Sequence, residues 1–149
     1  MLEISLFRGS YAFLSNFYAS PVVLYRITYP TVENAFQAAK TLDVTQRTQF
    51  VNCTPAEAKR LGRRVKLRES WFEIRIHFMK LLLEQKFAPG TDLALKLKAT
   101  GNATLIEGNT WHDNFWGKCS CETCQNKRQQ HNNLGKLLME IRSSLDCSK

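Results

Sequence analysis

The sequence predicts an α+β fold, mainly helical, forming a single domain over residues 1–149 with a few short strands. Three observations predict it. Short β-branched runs lie near the N-terminus, several helix starts carry capping residues, and one late strand precedes a closing helix. A chain of 149 residues suits one compact core.

Residues 2–7 and about 21–29 read as strands, the second through Val22, Val23, Leu24 and Ile27. Pro30 ends that segment, and Thr31 caps a helix whose small and apolar positions include Val32, Ala35, Phe36 and Ala39. Thr54-Pro55-Ala56-Glu57 is a capping box with proline at the first helical position, and Gly62 is the expected stop. Ser70-Trp71-Phe72-Glu73 reads as a second capping box, opening a long helix through Ile74, Phe78, Leu81, Leu82 and Phe87 before Pro89-Gly90. Residues 92–99 form a shorter helix ended by Gly101, and Ala103–Ile106 a short strand. Residues 110–131 read as loop. A final helix from Asn133 buries Leu134, Leu137, Leu138, Ile141 and Leu145.

The hydrophobic fraction of 44% and charged fraction of 23% are those of a globular protein. No apolar run approaches the roughly 20 residues that cross a bilayer, so no membrane partner is expected. Met1–Phe7 carries Glu3 and does not read as a signal peptide, which makes the cytoplasm the expected location. The net charge of +8 concentrates in Lys59, Arg60, Arg63, Arg64, Lys66 and Arg68, a run without an acid, which attracts polyanions or phosphate-bearing ligands.

Glu33, Gln37 and Lys40 follow spacings of four and three, which put all three on one helix face. A surface ion-pair ladder shows the same spacing, but Ala35-Phe36 and Ala38-Ala39 mark the helix as largely enclosed. A lysine beside a carboxylate in a partly dry pocket can lose its proton and attack a sugar anomeric carbon. Phe13-Leu14-Ser15-Asn16-Phe17-Tyr18 brackets a serine and an asparagine with aromatics, a pattern that suits base stacking or an ordinary core turn. After the late strand come Glu107, Asn109, Trp111, Asp113, Trp116 and Gly117, acids mixed with aromatics as in a ligand-binding loop. An acid there can stabilise oxocarbenium-like charge or activate water. Trp71, preceded by Arg68, offers a stacking face and a phosphate contact.

Three of the five cysteines, Cys119, Cys121 and Cys124, lie within six residues, too close for a spread disulfide framework. With His112 or His131 they would complete a tetrahedral zinc site. The usual second pair of closely spaced ligands is missing, so the expected list of cofactors and metals is empty. Cys53 and Cys147 read as ordinary thiols.

In order, these segments resemble one family. Phe13–Tyr18 and Tyr29-Pro30-Thr31-Val32-Glu33-Asn34-Ala35-Phe36-Gln37-Ala38-Ala39-Lys40 resemble the opening motifs of the NADAR (YbiA-like) family. The likeness continues through Ala58-Lys59, Leu61-Gly62-Arg63, Leu67-Arg68 with Trp71, Met79 and Lys86-Phe87. It runs on through Thr100-Gly101, Leu105-Ile106-Glu107, Asp113 with Trp116-Gly117, and Asn133-Leu134-Gly135 with Leu138-Met139 and Arg142. Asn34 stands where the family frequently has histidine.

The resemblance implies an N-glycosidase that opens a ribose–base C–N bond. Members act on phosphorylated ribosylaminopyrimidines of riboflavin biosynthesis or remove ADP-ribose from modified guanine in nucleic acid. It places Glu33, Lys40, Trp71, Glu107 and Asp113 at the family's polar site motifs, with Glu33 and Asp113 expected to handle protons and Lys40 to form an imine. Ser15, Asn16, Phe17, Tyr18, Gln37, Arg68, Asn109, Trp116 and Gly117 are the expected substrate contacts. The basic run favours ADP-ribosylated nucleic acid as the partner over a phosphorylated nucleoside-like small molecule. A cognate toxin is a compatible further partner. A non-catalytic module that binds ADP-ribose or nucleic acid is the rival class, and acids retained in the pocket of an anionic ligand speak against it.

Overall fold

The computed structural model describes residues 2–127 and 129–147, the side chain of Cys147 excepted; the expectation for that thiol lies outside the described residues. The elements in chain order are β1 (Glu3–Ile4), a 3₁₀ helix (Gly9–Leu14), β2 (Val22–Leu24), β3 (Ile27–Tyr29), α1 (Val32–Ala38) and α2 (Val44–Thr48). They continue as α3 (Pro55–Leu61), α4 (Trp71–Lys86), α5 (Asp92–Ala99), β4 (Thr104–Leu105), β5 (Gly108–Asn109), β6 (Lys118–Cys119) and α6 (Asn133–Cys147). The result is a helix-dominated α+β fold. It divides into two compact units, residues 16–86 and residues 1–15 with 87–149.

In the unit of residues 16–86, β2 and β3 form an antiparallel hairpin, Val22 opposite Tyr29 and Leu24 opposite Ile27. Its turn residues Tyr25 and Arg26 both have left-handed backbone, φ 50° and 66°, a geometry that two-residue hairpins need and that Asn-Gly usually supplies. Helix α1 touches β2, β3, α2, α3 and α4, and every residue from Val32 to Ala38 is buried. A helix covered on all sides needs small residues where neighbours approach, which Ala35, Ala38 and Ala39 provide. Its N-cap is Thr31, whose hydroxyl accepts the Asn34 amide at 3.1 Å.

Asn34 is fully buried and donates to the carbonyls of Phe50 and Cys53, both at 2.9 Å. Its side chain ties α1 to the segment after α2, so its role is structural. The Thr54 capping box forms as expected, Glu57 N to Thr54 Oγ1 at 3.1 Å and Thr54 N to Glu57 Oε1 at 3.3 Å. Ser70 departs from the expected N-cap geometry. Its φ is 61°, and its carbonyl accepts the amides of Glu73 and Ile74.

In the other unit, β1 pairs in parallel with β4, Ile4 opposite Leu105. The buried residues include Leu14, Phe87, Leu97, Leu105, Leu134, Leu138 and Ile141, with α6 touching both α5 and β4. Phe13 meets Phe87 edge-on at 6.5 Å. The expected loop at 110–131 contains β6, which pairs in parallel with β5, Asn109 opposite Cys119. That pairing folds the intervening residues into a closed loop. Among the described residues no helix is long and apolar enough to cross a membrane.

Candidate active site

Helix α1 ends at Ala38, so Lys40 lies in the turn beyond it, with its amide bonded to the Gln37 carbonyl at 3.2 Å. The expectation that Glu33, Gln37 and Lys40 all lie on one helix is corrected at its last member only: Ala39, still helical in backbone, separates Lys40 from the end of α1, and Lys40 remains within electrostatic reach of Glu33. Glu33 and Gln37 do share the helix, and the Gln37 amide donates to Glu33 Oε1 at 2.9 Å. Both are buried. Burial pushes the Lys40 amine below the ordinary lysine range. Glu33 pulls it back up, and Arg63, Arg75 and Lys59 push it further down. The lysine thus stands between one carboxylate and several cations.

The surroundings fix this group in place. Gly62 is a C-cap with ordinary helical backbone, φ −60°, so it is not glycine for the sake of a left-handed stop. A Cβ at that position would collide with Gln37 Oε1, the amide that holds Glu33. Arg68, the expected phosphate contact, clamps the Lys40 turn. Its amide donates to the Lys40 carbonyl at 2.7 Å, and its guanidinium to Tyr25 Oη at 3.1 Å and the Ala39 carbonyl at 3.4 Å. Trp71, expected as a stacking face, is buried, 5.2 Å from the Phe36 ring and stacked on Phe78 at 6.0 Å. Its ring is committed to packing behind α1.

Two residues of this unit received no role from the sequence, Lys86 appearing there only within a family motif. Arg47 is buried, donates to the Thr41 carbonyl at 2.7 Å and lies 4.0 Å over the Tyr25 ring. Lys86 is 3% exposed, stands 5.6 Å from the Tyr18 ring, and is pushed down to about 7 by burial. The signal for Lys86 was its position on the face that Phe78, Met79, Leu82 and Leu83 bury, where an unexplained lysine breaks the apolar stripe. Asn16 is buried with its amide on Met79 Sδ at 3.5 Å, and its carbonyl accepts the Glu33 amide at 3.1 Å. Phe17 is exposed and Tyr18 half-buried. Asn16 Oδ1, Gln37 Oε1 and Arg47 Nη2 are buried without a hydrogen-bond partner among the described residues. Unpaired buried polar atoms are uncommon in folded proteins.

In the other unit, Ser15 follows the 3₁₀ helix, its amide bonded to the Ala12 carbonyl. Asn109, expected to contact substrate, is buried and pins its own loop, accepting the Asp113 amide at 3.1 Å and donating to the Asp113 carbonyl at 2.8 Å. Asp113 Oδ1 in turn accepts the amides of Phe115 at 3.1 Å and Trp116 at 2.9 Å. The proton-handling role expected of Asp113 therefore meets a carboxylate oxygen already engaged as a loop cap. Half-buried Trp116 lies edge-on to Phe115 at 4.8 Å. The Glu107 amide is held by Asn132 Oδ1 at 3.0 Å, and its carbonyl accepts the Lys118 amide at 2.9 Å. Gly117 leaves room for that carbonyl, which any Cβ there would strike.

Of the two candidate imidazoles, His112 and not His131 meets the thiols: its Nδ1 is 3.3 Å from Cys124 Sγ and 3.4 Å from Cys121 Sγ. His131 packs its ring near Phe115 at 6.3 Å.

Comparison with known proteins gives one answer throughout. The NADAR domain matches residues 6–146. N-glycosidase YbiA of Escherichia coli (strain K12) is 37% identical over 142 residues, covering 93% of this chain and 84% of that protein. Riboflavin biosynthesis protein VVA0006 of Vibrio vulnificus (strain YJ016) is 32% identical over 139 residues, which are 91% of this chain and 36% of that protein. The NMR structure of the E. coli protein YbiA superposes with a TM-score of 0.78 at 32% identity, over 99% of this chain and 88% of that one. The chain belongs to the NADAR family.

Proposed function

We propose that this chain is an N-glycosidase that removes ADP-ribose from ADP-ribosylated guanine in nucleic acid, with Lys40 as nucleophile. Membership of the NADAR family and a relative named N-glycosidase support the enzyme class. One observation carries the site. Lys40 is a partly buried amine held below its ordinary range, flanked by the charge of Glu33 and by Arg63, Arg75 and Lys59.

The neutral amine attacks the anomeric carbon, and the bond from that carbon to the base nitrogen breaks. The base leaves with the bonding pair and takes a proton. The ribosyl amine then opens: the ring C–O bond breaks as a C=N bond forms, and the ring oxygen takes a proton. Water adds to the same carbon, the bond to Lys40 breaks, and the amine is restored. One water is consumed for each base released. Glu33, steadied by Gln37, receives and returns the protons and balances oxocarbenium charge.

The cations around Lys40 suit a diphosphate. Arg60, Arg63, Arg64 and Lys66 are exposed and extend the positive field along the surface, which suits a polyanion beyond the reacting sugar. A toxin that installs the adduct is the partner this substrate implies. A second reading, a phosphorylated ribosylaminopyrimidine as substrate, draws on the Vibrio vulnificus relative, which is named for riboflavin biosynthesis and of which this chain covers 36%.

Two assays test these statements. Borohydride added during turnover should trap an adduct on Lys40; turnover without an adduct means that water attacks directly and Lys40 only binds. ADP-ribosylated DNA and phosphorylated ribosylaminopyrimidine, offered side by side, should show faster release from the DNA. Faster release from the pyrimidine would reverse the substrate assignment.

A further inference from the structure

We infer that His112, Cys119, Cys121 and Cys124 bind a structural zinc ion that closes the loop carrying Asp113. Their donor atoms all lie within 4.8 Å of one another. A zinc ion held at about 2.3 Å from sulfur and about 2.0 Å from nitrogen sets sulfur–nitrogen edges at about 3.5 Å and sulfur–sulfur edges at about 3.8 Å. The observed separations of His112 Nδ1 from Cys124 Sγ and Cys121 Sγ, 3.3 and 3.4 Å, match the first of these. The site is gathered for an ion of that size.

The frame around the four donors belongs to the same unit. Cys119 and Cys124 are buried, Cys121 is half-buried and His112 is exposed, so the ion lies at the surface with its thiolates turned inward. The His112 amide points at Cys119 Sγ from 3.4 Å, the kind of N–H contact that stabilises a metal-bound thiolate. Cys119 N donates to Asn114 Oδ1 at 3.0 Å. Gln130 Nε2 reaches the carbonyls of Cys119 at 2.7 Å and Cys124 at 3.0 Å, fixing the backbone on both sides of the cluster. His112 itself has φ 68°, a left-handed conformation uncommon outside glycine, asparagine and aspartate.

Three cysteines of this spacing read as half a zinc motif because they supply only three ligands in one short segment. The fourth arrives from seven residues upstream, brought over by the parallel pairing of β5 with β6. On binding, three thiols release their protons to solvent, the imidazole keeps one N–H on Nε2, and the ion with its three thiolates carries one net negative charge. Four protein ligands leave no open position for substrate, so the ion braces the loop and takes no part in the chemistry. Its mechanical effect falls on Asp113, which follows His112 directly.

The test uses the full chain purified without a histidine tag. Elemental analysis should find one zinc per chain, and exchange into cobalt should give the intense visible bands of a tetrahedral thiolate site. Cys121→Ser and His112→Ala should each weaken zinc binding by more than the roughly 10- to 100-fold that loss of a supporting partner alone causes. Cys53→Ser should leave it unchanged. Chelation should lower the thermal midpoint of the wild-type chain and leave that of Cys121→Ser in place. Zinc far below one per chain after reconstitution under reducing conditions would overturn the assignment. So would a pale, octahedral cobalt spectrum, or zinc content indifferent to both ligand substitutions. If Cys124→Ser fails to fold, the two less buried ligands still give the answer.

Discussion

In residues 16–86 the polar residues of interest sit on and after a helix that neighbouring elements cover on every side, whereas in the other unit they sit on a loop tied together by its own side chains. Glu33 and Gln37 are buried because α1 is buried, and Lys40 inherits a dry setting from the packing of α3 and α4 against that helix. The Asn109 side chain instead bonds both backbone groups of Asp113, and the Asp113 carboxylate accepts the amides of Phe115 and Trp116 in the same loop. Burial by packing is what the first region offers its polar groups, and Glu33 adds one bond from Gln37. Hydrogen bonds within the loop are what order the second, through one oxygen of Asp113. If Lys40 is the nucleophile proposed above, the contrast predicts a chemical role there and a supporting one at Asp113.

The widest separation between the two regions should appear in Lys40→Ala, with turnover reduced by about 10³-fold or more at unchanged fold, measured as base release beside a circular dichroism spectrum. A loss below tenfold would remove Lys40 from the reaction. Next comes Gly62→Ala. The added methyl displaces the Gln37 amide and frees Glu33 to turn, and a misplacement of that kind reduces the rate by roughly 100-fold while the thermal midpoint moves little. Turnover equal to wild type would show that Gln37 does not position Glu33.

For the loop, Asp113→Ala should lower stability by about 1–3 kcal/mol in urea, since two amides lose their acceptor. Asp113→Asn keeps an oxygen in place and should stay near wild type in stability, with turnover down less than about tenfold. If the asparagine variant is stable but as slow as Lys40→Ala, the carboxylate has a chemical role and the contrast fails.

The last effect, on stability alone, concerns Lys86. Unfolded, its amine holds a proton up to about pH 10.4, whereas in the fold burial releases it above about 7. Between those values the unfolded chain binds more protons, so stability rises with pH, by up to about 1.4 kcal/mol per unit. Lys86→Met should flatten that rise, seen in urea midpoints at pH 7, 8 and 9. Parallel curves for the two proteins would mean that Lys86 keeps its proton in the fold.

What the sequence disclosed was local. Thr54 to Glu57 announces a helix start because both partners of the capping box lie three residues apart, and Thr31 does so with Asn34. The family motifs named Glu33 and Lys40. Helix α2 stayed hidden because it has only five residues and rests on Asp43 capping Thr45 and Gln46, without an apolar stripe to mark it. The 3₁₀ helix at Gly9–Leu14 lies in an aromatic stretch that carries no helical period. The end of α1 was equally invisible, since nothing between Ala38 and Lys40 breaks the helical spacing, and the partner of the Lys40 carbonyl, the Arg68 amide, comes from far along the chain. The fourth zinc ligand was undecided for the same reason, as only the β5–β6 pairing selects His112 over His131.

The hairpin turn at Tyr25 and Arg26 has an evolutionary consequence. Two non-glycine residues in left-handed conformation each disfavour the turn by roughly 1–2 kcal/mol, and Asn-Gly at the same positions would remove that burden. The exchange would also delete the ring that lies under Arg47 and receives Arg68, the residue that fixes the Lys40 turn. A gain in robustness is thus within two substitutions, yet the path to it runs through a less well ordered Lys40 turn. Toughness of the turn and order around Lys40 therefore pull these two positions in opposite directions.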